Sequence, residues 1–205
     1  MMPRQNRVQP DGQIIITSAR GTLMGNRGCL HNDQGTIVRQ YQRKAWITCL
    51  LEFKGRKRPL MSPNQYTELF FLDEATALAA GHRPCNECRP ANFKAFKAAW
   101  LKANLPGQQK LSALDLDTAL HLDRTSSSSS VIGDVQNLPT GTMVRDSQGC
   151  FYLVRRTKLL RWAPDGYSPP VSTPQAPFTL VTPPSILKAL QAGYEPQLHP
   201  TSTKI

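Results

Sequence analysis

The stretch YTELFFLDEATALAAGHRPCNECRP, residues 66–90, joins a short apolar run, an alanine-rich segment and two closely spaced cysteines. Two acidic residues open the alanine-rich segment and Gly81 closes it, which predicts a short helix with a left-handed C-cap. The chain then turns into Cys85-Asn-Glu-Cys88. Two residues between cysteines allow both thiolates to reach one tetrahedral zinc ion. We therefore predict a zinc site around which the N-terminal half folds.

A closed structural zinc site needs two more ligands. Cys49, at the centre of the apolar run 45–53 that predicts a strand, is the candidate for the third. The fourth ligand stays open between Cys29 and His31, since four cysteines, or three cysteines and one histidine, would each suit zinc. The alternative for a Cys-x-x-Cys pair is a redox dithiol. A thioredoxin-type pair opens the helix after a strand, whereas here the pair follows a helix.

The charge of the chain is concentrated in its first half. The 205 residues carry a net charge of +11. Residues 1–110 contain 17 Lys and Arg against seven Asp and Glu, and residues 111–205 contain eight against seven. An excess of this kind favours a polyanionic partner, most simply nucleic acid. The alternative is positive charge that serves solubility alone.

Two basic segments carry most of the candidate nucleic-acid contacts. RGTLMGNRG, residues 20–28, predicts a glycine-rich loop whose amides approach a phosphate, although tight turns with solvated arginines fit it equally. KGRKRP, residues 54–59, predicts a basic turn that docks backbone phosphates. The predicted contacts are Arg20, Arg27, Lys54, Arg56, Lys57, Arg58, Arg83 and Arg89.

The patterning predicts an α+β protein with a small zinc-stabilised N-terminal domain and a smaller β-rich C-terminal region. The predicted segments are a basic domain (1–110), a helix with a Ser-rich linker (111–130) and a β-rich region with a terminal helix (131–205). Strands are predicted at 13–18, 36–41, 45–53 and 69–71, and a three-stranded meander at 141–145, 150–155 and 158–162. Helices are predicted at 91–103, 111–122 and 185–192.

The sequence predicts a cytoplasmic location. No stretch approaches the roughly 20 apolar residues of a membrane span, and residues 1–13 lack the apolar core of a secretory signal. Structural disulfides are rare in the cytoplasm. The five cysteines are therefore interpreted as metal ligands or buried thiols.

Residues 70–90, FFLDEATALAAGHRPCNECRP, resemble the zinc-binding domain of Ada-type DNA repair proteins. The resemblance extends loosely to WITC at residues 46–49, which looks like the strand that carries the family's first cysteine. Further blocks, including RGTLMGNRG, resemble bacterial proteins that share this arrangement, which implies no chemistry.

The resemblance implies a DNA-facing zinc domain in a repair or regulatory role. In that family the zinc-bound cysteine at the position of Cys49 removes a methyl group from a DNA phosphotriester and is consumed. The family's second cysteine, four residues later, is Phe53 here, so the fourth ligand has to come from elsewhere. The family's helix-turn-helix regulator and its Pro-Cys-His-Arg alkyltransferase motif are also not found in these residues. The resemblance thus supports zinc binding better than methyl transfer, and an enzyme is not predicted unless Cys49 is a methyl acceptor.

Two further functions remain open from the sequence. A metal-dependent nuclease would use His31 and Asp33 near the metal as base and ligand, and it needs an open coordination position. A structural or protein-interaction module would need zinc only for folding. The oligomeric state is not predicted.

Overall fold

The computed structural model describes residues 2–56, 59–126, 130–171 and 177–203. These residues form two six-stranded sheets and four helices, which confirms the predicted α+β class. Among them, no helix is long and apolar enough to cross a lipid bilayer.

The first sheet contains the residues of the predicted zinc domain. Its order is β2-β1-β5-β3-β4-β6, with parallel pairing at β1–β5 and β4–β6 and antiparallel pairing elsewhere. The strands are β1 (Gln5–Val8), β2 (Ile14–Ile16), β3 (Leu23–Asn26), β4 (Ile47–Cys49), β5 (Leu69–Phe71) and β6 (Arg83–Pro84).

The glycine-rich segment 20–28 was predicted as a loop, and this prediction is wrong at its centre, where β3 runs between β5 and β4. Its glycines are required by close backbone packing. A Cβ on Gly21 would lie 2.2 Å from the carbonyl oxygen of Phe71, and one on Gly25 would lie 2.2 Å from that of Ile47. Glycine therefore lets the chain around β3 lie close to β5 and β4. Because residues 23–26 form this strand, they do not form a phosphate-binding loop.

Three predicted strands are shorter than their patterns, and residues 13–18 contribute only Ile14–Ile16 of β2. Residues 36–41 form only one isolated bridge, between His31 and Ile37, and the run 45–53 contributes only the three residues of β4. The apolar side chains after β4 are exposed instead, as Leu50 and Leu51 show. The run was thus not a fully buried strand, and its second half is surface loop.

The four helices lie close to their predicted positions. They are α1 (Glu74–Ala79), α2 (Pro90–Asn104), α3 (Ala113–Thr125) and α4 (Pro184–Gln191). Asp73 caps α1, because its carboxylate accepts a hydrogen bond from the Thr76 amide at 2.9 Å. Ser112 caps α3 in the same way, with Oγ accepting from the Asp115 amide. Pro90 and Pro184 begin their helices, where a missing N–H has no consequence.

The second sheet is antiparallel throughout, in the order β11-β10-β9-β8-β12-β7. Its strands are β7 (Val131–Ile132), β8 (Met143–Arg145), β9 (Phe151–Arg155), β10 (Lys158–Ala163), β11 (Gly166–Val171) and β12 (Phe178–Leu180). The predicted meander is β8–β9–β10. The Pro-rich stretch that follows also contributes strands, since β11 and β12 both lie within residues 164–184.

The buried helix α1 links the two sheets. Ala77 and Ala80 pack with the first sheet, and Ala75 and Ala79 pack with Met143 and other apolar side chains of the second. Each sheet lies inside one of the predicted segments, 1–110 or 131–205, while the hydrophobic clusters cross between them. The domain boundaries themselves stay a prediction.

Candidate metal centre

Three cysteines meet at one edge of the first sheet. The Sγ atoms of Cys49, Cys85 and Cys88 all lie within 4.8 Å of one another, close enough to hold a metal ion. Cys49 ends β4, and the other two belong to the turn between β6 and α2. All three are buried or half-buried free thiols. The three cysteines predicted as ligands are thus brought together.

Parallel pairing of β4 with β6 places Cys49 beside the cysteine pair. Trp46 O accepts a hydrogen bond from the Arg83 amide at 3.1 Å, and Thr48 O accepts one from the Cys85 amide at 2.8 Å. The buried Thr48 hydroxyl donates to the Arg83 carbonyl at 3.0 Å. These bonds fix the register across 36 residues of intervening chain, so the position of Cys49 depends on the sheet rather than on the local sequence.

The turn itself prepares one sulfur to carry negative charge. The Cys49 thiol donates a hydrogen bond to Cys85, and the amides of Cys88 and Glu87 donate to the same sulfur. These contacts lower the pKa of Cys85 to about 5. The pKa of Cys49 is raised, first because it is the donor to Cys85 and then because it is buried. The pKa of Cys88 is raised by burial. Without a metal, the cluster therefore concentrates a thiolate on Cys85 at neutral pH.

The two candidates for a fourth ligand lie elsewhere. His31 is buried, and both ring nitrogens are engaged: Nδ1 pairs with the Thr67 hydroxyl at 2.6 Å and Nε2 with the Ser62 carbonyl at 3.1 Å. The Cys29 sulfur contacts the carbonyl of His31 at 3.6 Å. Neither residue belongs to the group of three cysteines. Asp33, the partner of His31 in the nuclease hypothesis, is exposed and also outside the group.

The cluster therefore offers three candidate ligands. Every His, Cys, Asp and Glu of the chain lies among the described residues, and no fourth one joins the group in that part of the chain. The spacing suits zinc: Zn–S bonds of about 2.3 Å in a tetrahedron hold sulfurs about 3.8 Å apart. Soft thiolates also suit Cu(I), so the donor set favours a thiophilic ion over Mg²⁺ or Ca²⁺.

The structure divides the predicted phosphate contacts into exposed and buried groups. Arg20, Lys54 and Arg56 are exposed. Lys57 and Arg58 lie outside the described residues. Arg27, Arg83 and Arg89 are only 2, 6 and 3% exposed.

The three buried arginines have structural partners. Arg83 forms a bidentate pair with Asp117 of α3, at 2.7 and 2.8 Å. Arg89 pairs with Glu74 at 2.8 Å, and both side chains are almost completely buried. Arg27 donates to the His82 ring and to the Gly12 carbonyl. Because these guanidinium groups are buried against protein partners, contacts with the phosphate backbone of a nucleic acid fall to the exposed cations.

The basic loop lies directly beside the cysteine cluster. The Arg56 guanidinium pairs with the Glu87 carboxylate at 2.6 Å, and Glu87 stands between the two cysteines of the turn. The cations of Lys54 and Arg56 also lie 5.1 and 5.5 Å from the centre of the Phe53 ring. Sequence proximity to Cys49 was a usable signal for this neighbourhood, whereas the contact with Glu87 was not predicted.

Searches of protein families, of curated proteins and of solved structures find no match to this chain. The likeness of residues 70–90 to the Ada-type zinc domain thus has no family match behind it and stays a prediction. The geometry of the cysteine cluster and its surroundings carries the functional argument.

Proposed function

We propose that the protein binds Zn²⁺ through Cys49, Cys85 and Cys88 and contacts nucleic acid, more specifically DNA, beside that site in a repair or regulatory role. The observation that carries this proposal is the meeting of the three sulfurs within 4.8 Å. Zinc would tie β4 to the turn that begins α2. The DNA-facing role rests on the charge distribution and on the family resemblance, and the cytoplasmic location stays a prediction from the sequence.

The proposed contact surface is the loop that follows Cys49. It presents the cations Lys54 and Arg56 together with the exposed apolar side chains of Leu50 and Leu51. Cations neutralise backbone phosphates, and apolar side chains can pack against sugars and unstacked bases. The ion pair of Arg56 with Glu87 joins this loop to the turn that carries Cys85 and Cys88.

Salt-dependent binding tests the nucleic-acid contact. We expect the zinc-loaded protein to bind single- or double-stranded DNA at low salt, with log K falling linearly against log salt concentration. The slope for duplex DNA is about −0.9 for each neutralised phosphate. Fluorescence anisotropy with matched DNA and RNA oligonucleotides measures the affinity and the preference between them. Absence of binding to every oligonucleotide at low salt would overturn the contact and leave the zinc site standing.

Charge removal locates the surface. The double variant Lys54→Gln/Arg56→Gln should weaken binding and reduce the salt slope by about two units if both side chains meet phosphate. The matched control is Lys158→Gln/Arg161→Gln, which removes the same charge from exposed positions on β10 of the second sheet. Equal losses in both variants would indicate a general charge effect.

A second candidate function is methyl transfer to Cys49. This cysteine is half-buried and ends its strand, directly before an exposed loop. A zinc-bound thiolate keeps its nucleophilicity at neutral pH. In the reaction a methyl C–O bond of the phosphotriester breaks, a C–S bond forms and a phosphodiester leaves. Mass spectrometry after incubation with methylphosphotriester DNA would place one added methyl on the Cys49 peptide. An unmodified chain would exclude this activity.

A further inference from the structure

A cavity of about 700 Å³ lies where the first sheet meets the C-terminal ends of α1 and α3. Arg27, Trp46 and Arg124 line it together with the segment that leads into α4. None of the three cysteines of the metal centre lines this cavity. Its chemistry is therefore separate from that of the metal centre.

Two arginines converge on one aromatic ring in this cavity. The guanidinium carbon of Arg27 lies 4.1 Å from the ring centre of Trp46, and that of Arg124 lies 3.9 Å from it. The two guanidinium carbons are thus at most about 8 Å apart, the sum of these distances. The ring quadrupole attracts each cation, but it does not neutralise either charge.

The hydrogen bonds of both guanidinium groups go to neutral acceptors. Arg27 donates to the His82 ring and to the carbonyl oxygens of Gly12 and Gln40. Arg124 donates to the carbonyl oxygens of Gly81 and Lys44 and to the His121 ring. Among the described residues neither arginine forms an ion pair, and the buried Nε of Arg124 has no hydrogen-bond partner. Buried charges in proteins are normally paired.

The surroundings make these charges costly without removing them. Burial, followed by the neighbouring charge of Arg124, lowers the pKa of Arg27 to about 9. Burial also lowers the pKa of Arg124 to about 9. The pKa of His82 is lowered well below its usual value by burial and by the same two arginines, so its ring is a neutral acceptor. Both guanidinium groups therefore stay charged at neutral pH.

We propose that this cavity binds a small oxyanion, the phosphate or carboxylate group of a small molecule, which acts as counter-ion to Arg27 and Arg124. Planar guanidinium groups match both kinds of oxyanion through paired hydrogen bonds. Two carboxylates, Asp11 and Asp123, also line the cavity, and the Asp123 carboxylate accepts a bond from the Ser185 amide. They balance part of the positive charge, so the lining favours an ion of low charge over a polyanion.

Calorimetry and thermal unfolding of the zinc-loaded full chain test the proposal. The probes are inorganic phosphate, a nucleoside monophosphate and malonate, each compared with sodium chloride at equal ionic strength. We expect at least one oxyanion to bind with a Kd of about 1 mM or below and to raise the melting temperature. Tighter binding of the nucleoside monophosphate than of free phosphate would identify a phosphate ester as the ligand, and preference for malonate would identify a carboxylate.

The variant Arg124→Gln should weaken that binding at least about tenfold. The control Arg161→Gln removes an exposed arginine from the second sheet and should leave the binding unchanged. If Arg124→Gln does not fold, the wild-type chain still gives a test: the bound oxyanion should protect Arg124 from phenylglyoxal, as read by mass spectrometry. Absence of binding by all three probes, or equal binding by Arg124→Gln, would overturn the proposal.

Discussion

At the scale of single residues, the molecule separates cysteines that share a site from cysteines that do not. Cys49, Cys85 and Cys88 meet, whereas Cys29 contacts the carbonyl of His31 and Cys150 accepts a hydrogen bond from Arg161. A thiol becomes a metal ligand through its neighbours, because one sulfur alone cannot hold zinc.

Zinc stoichiometry should therefore respond to only three of the cysteines. We expect Cys85→Ser to lose tight zinc binding, because serine does not supply a thiolate, while the matched control Cys150→Ser retains one zinc per chain. Cys29→Ser should also retain it, since Cys29 lies outside the cluster. Native mass spectrometry measures the number of zinc ions per chain, and competition with a chromophoric zinc chelator measures the affinity. Loss of zinc from Cys29→Ser would restore Cys29 as the fourth ligand.

The reactivity of the metal-free thiols should depend on pH in an unusual range. The pKa of Cys85 is about 5, well below the ordinary value of about 8.5, so its thiolate is populated above pH 5. Iodoacetamide should modify Cys85 already at pH 6, and the rate should fall as the pH drops through 5. Peptide mass spectrometry identifies the site, and Cys85→Ser should lack the early phase. A rate that rises only near pH 8.5 would contradict the hydrogen-bonded thiolate.

At the scale of elements, α1 and β3 neighbour the strands next to the cysteine cluster. β3 pairs directly with β4, which ends in Cys49, and α1 ends shortly before β6, which leads into the turn with Cys85 and Cys88. Both elements contain residues that are uncommon in their positions. Gly25 lies within β3, and the carboxylates of Asp73 and Glu74 are buried at the N-terminus of α1.

Gly25→Ala should destabilise the first sheet. The added methyl would lie 2.2 Å from the Ile47 carbonyl oxygen, and β4 would have to move to accept it. Overpacking of this kind costs about 1–3 kcal/mol. Because Ile47 and Cys49 share β4, zinc affinity should fall as well. The control Gly133→Ala adds a methyl where nothing lies within 4 Å. Urea unfolding and zinc titration measure the two effects, and equal stability of both variants would contradict this packing argument.

Glu74→Gln tests the buried carboxylates. It removes the counter-ion of Arg89, whose side chain is 1% exposed, and it also weakens the acceptors used by Tyr194 and Gln197. Leaving a buried charge uncompensated costs about 3–5 kcal/mol. The exposed pair of Arg56 and Glu87 provides the control, because Glu87→Gln should change stability little. Similar unfolding midpoints for the two variants would show that the buried pair is not structurally required.

At the scale of the whole molecule, the cysteine cluster lies between the first sheet and the helices α2 and α4 that pack together. α2 starts two residues after Cys88, and its residues Phe93 and Phe96 pack with Ile186 of α4. A zinc ion bound there would connect β4 to the helical core across the turn.

Removal of zinc should lower the stability of the entire chain. A ligand present at about 1,000 times its Kd stabilises the folded state by about 4.1 kcal/mol, which corresponds to about 8–16 °C for a chain of this size. Calorimetry before and after chelation measures the change, and Cys85→Ser should not respond to the chelator. An unchanged melting temperature in the wild type would mean that zinc does not support this fold.

Features of the fold were predictable from the sequence where they depend on residues close together along the chain. The amphipathic helices and the meander were correctly predicted because their signals lie within ten to fifteen adjacent residues. The segment 20–28 was predicted incorrectly because glycines in a loop and glycines in a crowded strand have the same local pattern. The burial of Arg83 and Arg89 was missed because their partners, Asp117 and Glu74, are not marked as partners in the sequence.

The sequence by itself determined the candidate donors: the spacing of Cys85 and Cys88 allows a shared metal, and the apolar context of Cys49 puts that residue on a strand. Only the tertiary structure decided which donors meet, because parallel pairing of β4 with β6 brings together residues that are distant along the chain. It also decided which arginines face water and which face a cavity. Burial and pairing of a charge depend on contacts between distant segments, and no local pattern encodes those contacts.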